Sequence, residues 1–159
     1  MTEFSTRSWQ PDDEAHLWDM LYASIHVRVG QAPPPRAILD EPSMAHYLTG
    51  FGRREGDDAE IAVDAIGSAI GAAWCRTLPA DDPGYGFVAA DVPELGMAVV
   101  APWRGRGVGT RLLDELLGRH PVMSLSVDDE NAATERLYER VGFRLLRVDG
   151  TSRTMIRRP

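Results

Sequence analysis

Apolar and polar positions repeat along this chain with two different periods, and the switches between them lay out the elements. Phe4 to Trp9 reads as a short first strand. With Asp12 as its cap, a helix is predicted through about Val29, with Leu17, Leu21, Ser24 and Ile25 on its buried side. Pro33-Pro34-Pro35 ends it in a stiff linker, and a second helix is predicted over 36–49 despite Pro42. Beyond the loop at FGRREGDD, residues 59–66 and 68–78 form a hairpin around Gly67. Residues 79–93 read as a long loop, with 85–88 adding to a strand edge.

The second half is more regular. Residues 94–101 are an apolar strand, and Val108, Leu112, Leu113, Leu116 and Leu117 then recur at helical spacing. Val122 to Val127 is a further strand with Met123, Leu125 and Val127 on one face. A last helix begins at Asn131, a good N-cap, and stops at Gly142, a good residue just past a helix end. Its predicted core stripe is Ala133, Leu137 and Val141, with Tyr138 off the stripe. Two strands close the chain. Strands, then alternating strand and helix, then a final hairpin describe an α/β fold with a mixed sheet.

At 159 residues the chain is expected to be one domain, 1–159, able to bury a substantial core. Its 43% apolar and 26% charged residues are ordinary for a globular protein. A net charge of −7 argues against general nucleic-acid binding and favours cationic partners. The lone Cys75 can form no internal disulfide. With no membrane-length apolar run and no signal-peptide pattern, the expectation is a cytoplasmic protein without a membrane partner.

Candidate chemistry concentrates in ELGMAVVAPWRGRGVG, residues 94–109. An apolar strand runs there into a glycine-rich helix start, where unpaired backbone N–H groups and the helix dipole favour an anion. Gly105, Gly107 and Gly109 allow close approach, while Arg104 and Arg106 add forks suited to phosphate. The G-x-G-x-G spacing, two thirds of the way along, does not fit the dinucleotide fingerprint, and no lysine follows as a P-loop requires. A generic nucleotide-binding module is thereby disfavoured. An ordinary glycine-rich turn is the plainer reading of this motif taken alone.

Arg104 to Gly109 matches the R/Q-x-x-G-x-G/A signature of the GCN5-related N-acetyltransferases (GNAT), and the segment from Asn131 through Leu137-Tyr138-Glu139 to Gly142-Phe143 resembles their N-x-A-x-x-L-Y-E-x-x-G-F motif. The chain is identified as a member of that superfamily from about Ile66 onward, while its N-terminal third matches in outline. The resemblance implies a mixed sheet of six to seven strands with about four helices, its fourth and fifth strands splayed around the cofactor. It implies acetyl-CoA as co-substrate, held by main-chain groups of Met97, Ala98 and Val99 and by Arg104, Gly105, Arg106, Gly107, Val108, Gly109, Thr110 and Asn131. The activity implied is acetyl transfer to a primary amine by direct attack in a ternary complex, with no metal. A non-catalytic acyl-CoA-binding regulator of the same fold is the alternative. Homodimers through edge strands are common in the family.

By the same resemblance Tyr138 is the acid for the leaving thiolate, unless it merely packs with its hydroxyl on the cofactor sulfur or on water. Glu94 is the candidate base for the amine. Aligned on the glycines it falls one residue off the family position, which would turn it to the opposite face and leave it as a solvated loop-end glutamate. His16, His26, His46 and His120 show no metal-ligand spacing. For the acceptor, Trp18, Tyr22, His26, Tyr47, Trp74 and the Asp81–Asp82 pair would suit a cationic amine, or are core aromatics and a solvated charge run.

Overall fold

The computed structural model describes residues 3–159. Strands form at Phe4–Ser8 (β1), Asp58–Asp64 (β2), Ala69–Arg76 (β3), Glu94–Val99 (β4), Met123–Asp128 (β5), Arg144–Asp149 (β6) and Ser152–Arg157 (β7). The α-helices are Glu14–Ala23 (α1), Pro42–Ala45 (α2), Val108–Arg119 (α3) and Ala132–Arg140 (α4). One seven-stranded mixed sheet runs in the order β1-β2-β3-β4-β5-β7-β6. Every neighbouring pair is antiparallel except β4–β5.

Helices cover both faces. Leu112, Leu113 and Leu116 of α3 and Tyr138 of α4 pack with Leu95, Met123, Leu125 and Met155 on one side. Leu17, Met20 and Leu21 of α1 and Met44 of α2 pack with Ile61, Ala72, Trp74 and Ala98 on the other.

Three expectations for the helices are corrected. The first helix ends at Ala23 and not near Val29. Ser24 closes it, with its hydroxyl on the Leu21 carbonyl at 2.6 Å, and the β-branched Ile25, Val27 and Val29 that follow are weak helix formers. The second helix is broken into a 3₁₀ segment at Arg36–Asp40 and the short α2, because Glu41, preceding Pro42, is extended (φ −68°, ψ 138°). In α4 the buried residue is Tyr138, whereas Ala133 is exposed and Leu137 and Val141 are half-buried. The cause of that rotation is a cleft on the Ala133–Leu137 side.

That cleft begins where the sheet splits. Strands β4 and β5 are in register only at Glu94–Ser124. The loop before β4 is wedged between them and forms no strand at 85–88. The Gly86 N–H donates to Glu94 Oε1 at 3.0 Å, and a Cβ on Gly86 would lie 2.5 Å from the Leu125 carbonyl carbon. Only a glycine fits so close to both strands.

Candidate functional site

The split opens into a cleft of about 1130 Å³, which runs from the N-terminus of α3 to the C-terminus of α1 and the Tyr47–Trp74–Glu94 wall. Its two ends have different chemistry, and β4 connects them.

At the first end, Gly105 (φ +74°) and Gly107 (φ +85°) adopt left-handed backbone, the conformation glycine takes without strain. Gly107 caps α3, whose ladder opens with Arg111 N–H on the Gly107 carbonyl at 3.1 Å. The N–H groups of Val108, Gly109 and Thr110 precede that bond and have no partner within the helix. Arg104 is anchored by Nε on the Val99 carbonyl at 2.9 Å, so its terminal nitrogens remain to meet a ligand. Arg106 is placed differently: its guanidinium lies 4.9 Å from the Trp103 ring centre, and it does not line the cleft. Asn131 lines the cleft and caps α4 without a side-chain hydrogen bond, leaving its amide unused.

Between the ends, main-chain groups of β4 face the gap. The Val100 N–H donates to Ile70 of the β3 side, and in an antiparallel ladder alternate residues turn their peptide groups the same way. Met97 and Val99 therefore point theirs toward β5, where no strand pairs with them, while Ala98 spends its own on β3. Ala98 contributes wall, not hydrogen bonds. The unpaired groups of Met97, the Val99 N–H (its carbonyl is taken by Arg104), the three free amides of α3 and the Arg104 terminal nitrogens together fit a long ligand with a phosphate at one end.

At the second end, Glu94 is only 2% exposed, so the solvated reading of this residue is overturned. Its carboxylate accepts from the Gly84 and Gly86 amides, each at 3.0 Å. Burial pushes its pKa above the ordinary carboxylate value, with those two amides and His46 pulling the other way. The Tyr47 hydroxyl accepts from the Tyr85 N–H at 2.8 Å, and burial beside Glu94 pushes that phenol upward. Tyr138 is 6% exposed, with its ring edge-on to Phe143 at 5.7 Å. Its hydroxyl has no hydrogen-bond partner among the described residues, and burial alone raises its pKa.

A strap formed by residues 24–29 crosses the cleft after α1. His26 bonds Glu130 at 2.9 Å, the Val29 N–H donates to the same carboxylate at 2.9 Å, and Arg28 pairs with Asp128 and Asp129. The other histidines are also engaged: His16 with the Gly71 carbonyl, His46 with Asp82, and His120 with Asp58. Cys75 is buried among strands and its thiol is pushed up to about 12 by that burial, which leaves it unreactive.

Of the residues singled out from sequence, Tyr22, His26, Tyr47 and Trp74 line the cleft, whereas Trp18 of α1 packs, partly buried, against the core and Asp81 and Asp82 lie outside the cleft. Sequence reasoning missed Trp103, Thr134, Leu137 and Arg140 as lining residues. Leu137 approaches Gly109 closely, and Arg140, one turn on, lines the same glycine end. A cation three residues beyond a half-buried leucine was the only signal available for Arg140.

The model of the acetyltransferase (GNAT) family matches residues 10–143. Among curated proteins, none matches the sequence significantly. Solved structures are similar in fold. A protein of Acinetobacter baylyi assigned as an acetyltransferase superposes with a TM-score of 0.70 at 19% identity, over 98% of this chain and 92% of its own. A phosphinothricin acetyltransferase from Sinorhizobium meliloti, solved with acetyl-CoA, gives 0.65 at 19% identity over 98% and 88%. A GCN5-related N-acetyltransferase from Kribbella flavida gives 0.61 at 17% identity over 99% and 98%.

Proposed function

Because the chain belongs to the GNAT acetyltransferase family, we propose that it moves the acetyl group of acetyl-CoA to a primary amine by direct attack within the cleft. The observation that carries this reading is the split between β4 and β5, which leaves the Met97 main chain and the Val99 N–H without a strand partner and leads from the α3 amides to Glu94. When bound, acetyl-CoA supplies an activated acyl group and a thiolate leaving group. The α3 amides of Val108, Gly109 and Thr110, with Arg104 and Asn131, hold the pyrophosphate side. Arg140 reinforces them from α4, and Arg106 contributes long-range charge only. Met97 and Val99 align the arm along β4.

Glu94 takes the proton from the incoming ammonium, directly or through water. Each carboxylate oxygen is engaged by one amide, so each keeps a lone pair for this purpose. Tyr138 offers its hydroxyl to the departing sulfur. We place the reaction in the cytoplasm. No helix among the described residues is long and apolar enough to cross a membrane.

Calorimetric titration with acetyl-CoA followed by thiol release over a panel of amines tests the reading. Binding with release supports it, binding without release favours a non-catalytic regulator, and absence of binding refutes both. Arg104→Met should weaken acetyl-CoA binding about 10- to 100-fold, the worth of one charge-assisted hydrogen bond. An unchanged Kd would remove Arg104 from the site.

The buried Glu94 also fixes a pH dependence. Its raised pKa means that the base ionises later than an ordinary carboxylate, so kcat/KM should fall on the acid side at a pH above that of an exposed glutamate. For stability the sign is opposite: the protonated form is the one the fold favours, and that contribution is lost as pH rises through the raised value. Glu94→Gln should abolish the acid limb while acetyl-CoA still binds. Persistence of the limb would assign it to another group.

A further inference from the structure

Resting on the acetyl-transfer reading, we propose that the acceptor is a primary amine on an uncharged aromatic or branched apolar skeleton, and that amines carrying a carboxylate are excluded. The end of the cleft away from the glycines is walled by Tyr22, Ile25, Ile38, Met44, Tyr47 and Trp74. Tyr85, 58% exposed, stands at the rim, and Glu94 is the one cleft-lining carboxylate without a cationic partner, since Asp128 is paired with Arg28. An ammonium entering here meets aromatic faces and one buried acid, and the remainder of the molecule meets apolar surface.

The cations surrounding this end decide what cannot bind. Three of the cleft-lining residues are basic: His26, Arg104 and Arg140. Arg104 and Arg140 belong to the glycine end. His26 is held by Glu130, and Arg28 beside it by Asp128 and Asp129. Arg36 lies over the Tyr22 ring at 5.8 Å and pairs with Asp19 at 2.6 Å. Arg76 is fully buried and bound to Asp57 and to the His46 and Thr49 carbonyls on either side of Tyr47. His46 gives Nδ1 to Asp82. Every arginine near the acceptor end already has its carboxylate, and His26 and His46 each spend one ring nitrogen on another, while the buried Nε2 of His46 has no partner. A carboxylate on the substrate would lose its water and find no counter-ion, which is the costly way to bury a charge. A second ammonium, as in a polyamine, would find the other lining acid, Asp128, already held by Arg28.

Matched acceptor pairs test this with the full chain and acetyl-CoA: 2-phenylethylamine against phenylalanine, and isoamylamine against leucine, with spermidine and a lysyl peptide beside them. The chain contains no lysine, so no side-chain amine of its own competes. We expect kcat/KM for each simple amine to exceed that of its amino acid by at least about 100-fold, the penalty for an uncompensated buried charge. Tyr85→Arg, at an exposed rim position, should narrow the phenylethylamine–phenylalanine gap by about tenfold. Equal turnover within a pair, or preference for spermidine or the lysyl peptide, overturns the proposal. Calorimetry of the same pairs on CoA-loaded protein separates the two levels. Selective binding of the simple amines without thiol release would sink the acetyl-transfer reading and leave the selectivity standing; non-selective binding sinks the selectivity whatever the chemistry.

Discussion

Tyr138→Phe should lower kcat by about 10²- to 10⁴-fold, the range for loss of a positioned acid, while the Kd for acetyl-CoA and the melting temperature stay near wild type. The substitution removes one oxygen. The ring keeps its packing on Phe143, and no hydrogen bond is lost, since the hydroxyl has none among the described residues. An unpartnered phenol on a cleft wall is consistent with a donor waiting for its acceptor. Burial holds the phenol above its ordinary pKa, so it remains protonated through neutral and mildly alkaline pH. Proton transfer to a thiolate of ordinary pKa would be uphill, but the same dry wall destabilises the thiolate and raises its affinity for a proton. Steady-state kinetics with parallel calorimetry checks this: unchanged kcat in the Phe variant would reduce Tyr138 to a packing residue.

The glycine end of the cleft was the most legible part of the sequence, because its chemistry is local. Gly105, Gly107 and the apolar repeat of α3 declare a left-handed turn and a helix start within a few neighbouring residues. The sheet was legible for the same reason, β5 through its alternation and β2 and β3 as two runs around the turn at Gly67. What local patterns could not reveal were consequences of packing between distant segments. Whether Glu94 is solvated depends on Gly84 and Gly86, which lie in a loop without periodicity and act through closeness to β5. The rotation of α4 was missed because Ala133 and Leu137 look like a core stripe, and only the split sheet turns that stripe toward a cleft. The strap at 24–29 was read as helix, since its ties to Asp128, Asp129 and Glu130 span a hundred residues of sequence.

Asp57→Ala should be among the most destabilising single changes in the molecule, costing about 3–5 kcal/mol, the usual penalty for stranding a buried charge. Arg76 and Asp57 have fully buried side chains joined by two bonds, at 2.9 and 2.8 Å. Arg76 also donates to the His46 and Thr49 carbonyls, and Asp57 accepts from the Gly52 and Arg54 amides. Burial alone would raise the Asp57 pKa, but the bonds from Arg76 and the amides outweigh it and hold the group below its ordinary value. Its contribution is therefore present above the ordinary carboxylate pKa and is lost as pH falls through the depressed one, so the variant and wild type should converge in acid. At neutral pH the loss corresponds to a melting temperature lower by about 6–20 °C for a chain of this size. Scanning calorimetry checks the value, and the double variant Arg76→Met/Asp57→Leu should lose less than either single change because no charge is left stranded. Additive losses would show that the two side chains do not act as a coupled pair. The carbonyls that Arg76 holds flank Tyr47 and belong to the segment forming the acceptor wall. In Asp57→Ala, below its unfolding temperature, the KM for the amine should therefore rise while acetyl-CoA affinity, set at the far end of β4, is retained.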